Sequence, residues 1–535
     1  MNIPIKPQDK LSDAVPGSRL FRDWLAGNLD ADFLAPGHRD AGRELELAMQ
    51  DGPSGNPSPL FRSAWVTGWA GSMAADLPCE EDRVLFNSQL EALKAGEAEV
   101  VVTGQQPGYL GGPLYTLYKI ATAVALARKR TAAGRPTYPV FWSGDDDDDL
   151  IEALGPVAWD PASRGINRSS KPGSNGRSGM VGRLASDPWS SEAALWLEKV
   201  SSGKPETKDS LPTDLAAIWR EGVAENLTWS RLSLRAVLRV FTGCGLMVVS
   251  GDDPGLHEAA GPLYEKILAD SAALADMASQ RGRDLTSGGW HAQINARSLA
   301  RPLFTVEGDQ RVAWVPGSQA PERAQLRPGV MLRSPVQDWL LRPAAVVVGP
   351  GELAYLRQLD PLYEKLEIPR PPLVPRMFAW LLPTGFDPNR LRDFRDHRSS
   401  DPDLADRLAG DAEEKAGRIL TDILTGELGV GKERAASLAK GRTRRWRKGV
   451  AAMLADEISR SRREQVPNGP AWVFPDGMRQ ERHLAYLCAV ALWGGDLVAA
   501  CLDAAALHLE AGTGNRWREF ALEVPEPITD RMDST

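Results

Sequence analysis

Histidine and cysteine are scarce in this chain, and neither is clustered. The six histidines, at 38, 257, 291, 397, 483 and 508, fall into no ligand spacing. Cys79, Cys244, Cys488 and Cys501 lie far apart and form no metal-type pair. No zinc site is expected, and a reduced, cytoplasmic protein is the simplest reading. Positive charge is not in excess: the net charge of −8 argues against general nucleic-acid binding. No apolar run is long enough to cross a membrane without a break. The most apolar stretch, 484–509, is interrupted by Gly494, Gly495, Asp496 and Asp503, so it reads as a buried helix pair. The opening residues MNIPIKPQDKLSD lack the apolar segment of a signal peptide. No internal repeat is visible. The two common nucleotide motifs, G-x-x-x-x-G-K-[ST] and G-x-G-x-x-G, are both missing from the main glycine-rich loop.

What is present begins with VVVTGQQPGYLGGPLYTLYK at 100–119. A β-branched run ends in a loop with glycines at 104, 108, 111 and 112. Pro113 suits the first position of a helix, which the apolar spacing of Leu114, Leu117, Ala121 and Val124 carries to about 133. A second apolar run, 138–142, completes a β-loop-α-β unit with parallel strands. The loop, where backbone N–H groups are free at a helix start, is expected to cradle an anion. Gln105 and Gln106 add amide groups to orient it, and Lys119 is placed to reach back toward a phosphate. Tyr115 lies one turn from Lys119 on the same face.

The pattern recurs twice. The strand 245–250 runs into Gly251-Asp252-Asp253-Pro254, and 344–348 into Gly349-Pro350-Gly351-Glu352. Three such units predict an open, mostly parallel α/β sheet whose ligand sits beyond the carboxyl ends of the strands. Thus 104–112, 145–149, 251–253 and 349–352 are expected around one cleft. The five aspartates at 145–149 read either as a helix cap with a solvated cluster or as a cation site. Residues 160–187 read as a surface insertion, 284–320 as β structure, and the last 20 or so residues as a polar tail. Between 400 and 465 two helices with one apolar stripe each form a hairpin, for which a second copy is the economical partner.

VVTGQQPGYLGGPLYTLYK closely resembles the signature of the cysteine ligases of bacillithiol biosynthesis. PVFWSGDDDDDLIE, GLMVVSGDDPGLHEAAGPLYEKIL, VMLRSPVQDWLLRPAAVVVGPGELAYLRQLDPLYEKLEIPRPPLVPR and FPDGMRQERHLAYLCAVALWGGDLV are similar to further blocks of that family. The resemblance covers about 20–160 and 230–535. It implies an α/β, Rossmann-like nucleotidyltransferase core with a parallel sheet over 1–385, with connecting insertions at about 160–240 and 280–330. A helical coiled-coil arm at 386–465, making a homodimer, and a C-terminal helical segment at 466–535 would follow. The implied reaction joins the carboxylate of cysteine to the amine of glucosaminyl-malate, with ATP and Mg²⁺ as cofactors. A carboxylate must be activated before an amine attacks it, which calls for a held phosphate and a cation.

On that reading Lys119, Asp147, Asp149 and Glu352 are catalytic, with Asp149 or Glu352 as base. Thr103, Gly104, Gln105, Gln106, Gly111, Gly112, Pro113, Tyr115, Asp253, Gly349 and Gly351 bind nucleotide or substrate. Arg333 and Arg376 meet malate's carboxylates, and Asp146 and Asp147 hold Mg²⁺. The chain departs from the family at Asp148, where histidine is usual, at Ser334-Pro335, and in a short arm. The rivals are a ligase of the same fold for another amino acid and amine, and a non-catalytic nucleotide-binding dimeric scaffold.

Overall fold

The computed structural model describes residues 3–8, 18–29, 40–50, 55–170, 179–185, 189–201, 210–315, 318, 321–391, 404–463, 470–475, 478–512 and 517–527. The chain divides into two compact units, one of residues 1–386, 471–473 and 480–535, the other of residues 387–470 and 474–479.

The first unit is built on five strands: β1 (Glu99–Gln105), β2 (Thr137–Ser143), β3 (Met247–Ser250), β4 (Ala345–Val348) and β5 (Leu373–Pro375). All four neighbouring pairs are parallel, in the order β3-β2-β1-β4-β5. This is the doubly wound arrangement, and the direction of winding reverses between β1 and β4. Such a sheet is covered on both faces, so its strands are near-continuous apolar runs. Val100, Val101 and Val102 of β1 are accordingly all buried.

Helix α1 (Tyr115–Ala132) joins β1 to β2. It is buried nearly all round because the long apolar helix α2 (Tyr486–Ala511) lies against it. Leu117, Ile120 and Val124 are fully buried, each contributing about 1.5–3 kcal/mol. Helix α2 has the length and composition of a membrane span, but 72% of its most apolar window is buried inside the protein. It is two helical segments that meet at Gly494, whose φ of 67° and ψ of −157° are not helical, in keeping with the buried helix pair expected from the sequence.

Four sequence expectations change. Helix α1 starts at Tyr115, not Pro113, because Pro113 bridges Ala485 and the Leu114 N–H donates to the Leu484 carbonyl. The expected polar tail contains Glu519–Val524, the middle strand of a second sheet with Ile5–Gln8 and Phe378–Pro383. In 284–320 the strands are Leu303–Glu307 and Gln310–Ala313, while a helix, Gly261–Ser287, covers its start. The insertion at 160–187 is partly ordered: Val157–Asp160 pairs with Gly165–Arg168, and the Val181 and Gly182 N–H groups donate to Asp147 and Asp145 carbonyls. Its residues 171–178 and 186–187 lie outside those described.

The second unit holds two helices, Leu404–Gly426 and Lys432–Arg463, packed on one another. Their seam uses small side chains: Ala409, Ala435, Ala439 and Thr443 are buried. Ile419, Trp446 and Met453 are left exposed.

Candidate active site

A cavity of about 400 Å³ opens at the point where the winding reverses. The end of β1 supplies Gly104, Gln105 and Gln106; helix α1 supplies Tyr115 and Lys119; the turn after β4 supplies Gly349, Pro350, Gly351 and Glu352. A further wall is helix α3 (Val330–Leu341), whose Arg333, Ser334, Gln337 and Asp338 share one face at helical spacing.

Lys119 stands at the centre and is only 3% exposed. Its Nζ donates to the Gly104 carbonyl (2.8 Å) and Gln105 Oε1 (3.1 Å), and it pairs with Glu352 Oε2 (2.7 Å). An ammonium has three donors, and all three are used within the chain. Burial pushes the Lys119 pKa down, and the Glu352 carboxylate works against that. The same Glu352 oxygen accepts the Gly349 N–H (2.7 Å), so it holds the turn from β4 into helix α4 (Pro350–Gln358). A Cβ at 349 would stand 3.2 Å from Glu352 Oε2 and 3.6 Å from Lys119 Cε, close enough to press on the Glu352 side chain. Arg376, just past β5, pairs both Nη atoms with Glu481 at 2.9 Å; both residues are buried. Its Nε is buried without a partner and lies 3.7 Å from that same point at Gly349.

The aspartate run meets arginines. Arg333 donates to Asp147 Oδ2 (2.9 Å) and Asp146 Oδ2 (3.3 Å), and Arg311 stands 3.9 Å from Asp147 and from Asp148. Burial alone would raise the Asp147 carboxyl, but Arg333 and Arg311 hold it below its ordinary value. For Asp146 burial outweighs the same arginines, and its pKa is raised. The expected Mg²⁺ pair is therefore already matched by a guanidinium. Among the described residues no group of three or more histidine, cysteine or carboxylate side chains is placed to hold a metal.

Asp145 is fully buried beneath this layer, accepting from Ser230, Ser250 (2.7 Å) and the Asp252 N–H (2.9 Å). Burial pushes its pKa up to about 7 against those hydrogen bonds. A carboxyl with a raised folded pKa binds more protons folded than unfolded, so its contribution to stability falls as pH rises from about 4 to about 7. Asp145→Asn, which keeps the shape and removes the charge, is expected to flatten that fall, by at most about 1.4 kcal/mol per pH unit. Urea melts of both proteins at pH 5 and pH 8 read it. A variant that tracks the parent at both values would show that Asp145 does not titrate there.

Of the residues singled out in the sequence, Gly104, Gln105, Gln106, Tyr115, Lys119, Asp147, Arg333, Gly349, Gly351, Glu352 and Arg376 line the cavity. The rest do other work. Thr103 is buried and donates to the Val347 carbonyl (3.0 Å). Gly111 (φ 83°) packs under Tyr486, whose ring would meet a Cβ at 2.3 Å. Gly111 and Gly112 donate their N–H groups to the Gly108 and Tyr109 carbonyls, and with Pro113 they lie away from the cavity lining. The anion cradle expected there is thus closed by its own chain. Asp149 caps the Leu150–Ala153 turn by accepting the Glu152 N–H (2.9 Å), and Asp253 caps Pro254–Ala259 by accepting the Gly255 N–H (2.8 Å). Neither is placed as a base or ligand. The 251–253 loop faces elsewhere: Asp252 pairs with Arg183 and Arg327. Asp148 is 58% exposed and outside the lining. The sequence reading missed Glu152, Gln293, Gln337, Asp338, Tyr355 and Arg482. Only the helical spacing of Gln337 and Asp338 after Arg333 could have signalled any of them.

The model of a family described as "Bacillithiol biosynthesis BshC, N-terminal Rossmann-like domain" matches residues 73–321 and 318–377. A Koribacter versatilis protein named "Putative cysteine ligase BshC" is 29% identical over 314 residues, 55% of this chain and 57% of its own length. The Salinibacter ruber protein of that name is 29% identical over 315 residues, 54% of this chain and 55% of its own. The Geobacillus kaustophilus one is 25% identical over 400 residues, 70% and 66% of the two chains. The matched part thus spans little more than half the length of the first two relatives. The solved Thermus thermophilus arginyl-tRNA synthetase aligns over 87% of this chain and 98% of its own at 14% identity, but with a TM-score of 0.20 that carries no argument about fold. The matched residues 73–377 hold the β3-β2-β1-β4-β5 sheet and most of the cavity wall, and by that match the chain belongs to the BshC family of bacillithiol biosynthesis.

Proposed function

We propose that this chain is an ATP-dependent ligase that joins the carboxylate of cysteine to the amine of glucosaminyl-malate, giving bacillithiol, in the cytoplasm. The observation that carries the reading is the cavity at the winding reversal, where a lysine, arginines and carboxylates converge beside the amino end of α4. The lining suits a nucleotide in kind. Val346, Leu356, Leu373 and Tyr355 offer an apolar wall to a base, and Gly351 at the amino end of α4 and the orphaned Arg376 Nε offer donors to phosphate. Bound ATP would supply the phosphoryl or adenylyl group that activates the carboxylate. The residues do not suit Mg²⁺ at Asp146 and Asp147, since Arg333 holds both. No step is assigned to a protein-held metal.

Within the chain Lys119 positions the Gly104 carbonyl and Glu352 rather than gripping phosphate itself. Glu352 faces the cavity and is the carboxylate placed to take a proton from the sugar ammonium, in place of Asp149. Arg333 is held by aspartates and Arg376 by Glu481, so malate's carboxylates must find other donors. The nucleotidyltransferase character of the core and a coiled-coil homodimer through the 404–463 hairpin belong to the same proposal. Exposed Ile419, Trp446 and Met453 favour the dimer.

Purified protein with ATP, cysteine and glucosaminyl-malate is expected to form bacillithiol, with AMP or ADP marking the activated intermediate. Turnover of a different amino acid or amine would replace the substrates and keep the ligase. Nucleotide binding without turnover of any amino acid would favour a scaffold.

A further inference from the structure

Two opposite charges on the cavity wall do not meet. Glu152 ends the short turn after the aspartate run, and Arg482 lies in the Gln480–His483 turn that leads to α2. Both line the cavity and both are exposed. No nitrogen of Arg482 comes within 4.0 Å of a Glu152 oxygen, and neither side chain makes an ion pair among the described residues. Every other charge on the lining is engaged: Lys119 with Glu352, Arg333 with Asp147, Arg376 with Glu481, and Asp338 with the Tyr363 hydroxyl and Gln337.

The two side chains share a neighbourhood. Arg482 Nη2 lies 3.8 Å from where a Gly351 Cβ would be, at the amino end of α4. Glu152 and Arg482 act in opposite senses on the Tyr115 phenol, Glu152 raising its pKa and Arg482 lowering it. The Tyr115 hydroxyl accepts from Gln105 Nε2 (3.2 Å), which leaves its own proton to donate. A separated cation and anion with a hydroxyl beside them match a small ligand carrying both signs.

We propose that Glu152 and Arg482 clamp the free amino acid, Arg482 on the α-carboxylate and Glu152 on the α-ammonium. The assignment rests on the amino-acid ligase reading above. The clamp has two chemical consequences. Arg482 cancels the charge of the carboxylate, so its oxygen can approach an anionic phosphoryl donor. Glu152 keeps the amino group as an ammonium, which cannot attack, so the amino acid does not condense with itself.

Calorimetric titration of the full chain tests it, with cysteine, N-acetylcysteine (no ammonium) and cysteamine (no carboxylate), alone and with a non-hydrolysable ATP analogue. The parent protein is expected to prefer cysteine over both by at least tenfold. Arg482→Ala should weaken cysteine at least tenfold, to the level of cysteamine. Glu152→Gln should bring cysteine down to N-acetylcysteine. Both residues are exposed, so melting should be unchanged and misfolding recognisable. Cysteine affinity unchanged in both variants overturns the clamp and leaves the ligase reading standing. So does an Arg482→Ala protein that loses ATP affinity and keeps cysteine. If the parent binds another α-amino acid in place of cysteine, with the same losses in the variants, the clamp holds and the cysteine assignment falls. If it binds no amino acid, the clamp and the ligase reading fall together.

Discussion

Lys119→Met is expected to lower ligation at least a hundredfold and to destabilise the first unit by roughly 3 kcal/mol. The lysine is nearly inaccessible, and its three donors serve three acceptors on two elements: the Gly104 carbonyl and Gln105 Oε1 at the end of β1, and Glu352 Oε2 at the start of α4. Methionine fills the space but leaves the Glu352 carboxylate beside a buried apolar group. It also leaves the Gly104 carbonyl, on the cavity wall, without its donor. The destabilisation comes from those orphaned acceptors rather than from the lost attraction itself. Adding Glu352→Gln should therefore return most of the stability and none of the activity. Urea melts and product formation on the single and double variants check this. Full activity in Lys119→Met would remove the lysine from the site.

Arg376→Leu should cost roughly 3–5 kcal/mol, because it takes the two-pronged guanidinium partner away from the fully buried Glu481 carboxylate. The pair is bidentate, and it fastens the segment before α2 to the end of β5. Arg376→Leu with Glu481→Leu should recover most of that loss, since two well-packed apolar residues do about as well as a buried ion pair. Ligation is expected to stay at least tenfold down in the double variant, because the Arg376 Nε is a cavity donor. Thermal melting of the three variants and their turnover separate the two roles. A double variant no more stable than Arg376→Leu would show that the pair's geometry, not the orphaned charge, holds the segment.

The strands and their parallel pairing were legible. Val100–Val102, the 245–250 run and 344–348 are β-branched runs ending in glycine turns, and two of those turns line the cavity. The Gly349–Glu352 turn lies on the cavity wall, at the strand end where its sequence placed it, because its residues do their work locally. The Gly108–Pro113 loop was misread because Gly111 packs under Tyr486, far away in the sequence, and the loop's Gly111 and Gly112 N–H groups are bonded within it. Asp149 and Asp253 were misread as site residues because a carboxylate that caps the next turn looks the same in sequence as one that faces a ligand. The tail was misread because its strand pairing is long-range: Glu519–Val524 is held by strands at 5–8 and 378–383, and no local pattern announces either partner.

By itself the sequence determined what periodicity and turn chemistry can dictate. It called for parallel strands, glycine turns at their carboxyl ends, the family signature at 100–119, and a lysine on the first face of α1. Tertiary structure alone decided which charges are spent and which are open. Lys119, Arg333 and Arg376 are neutralised by Glu352, Asp146 with Asp147, and Glu481, while Glu152 and Arg482 are left facing one cavity without each other. The reason is physical. Secondary structure is set by neighbours a few residues away, whereas the state of a charge depends on every group within a few ångströms, and here those groups come from as far apart in the chain as residues 152 and 482.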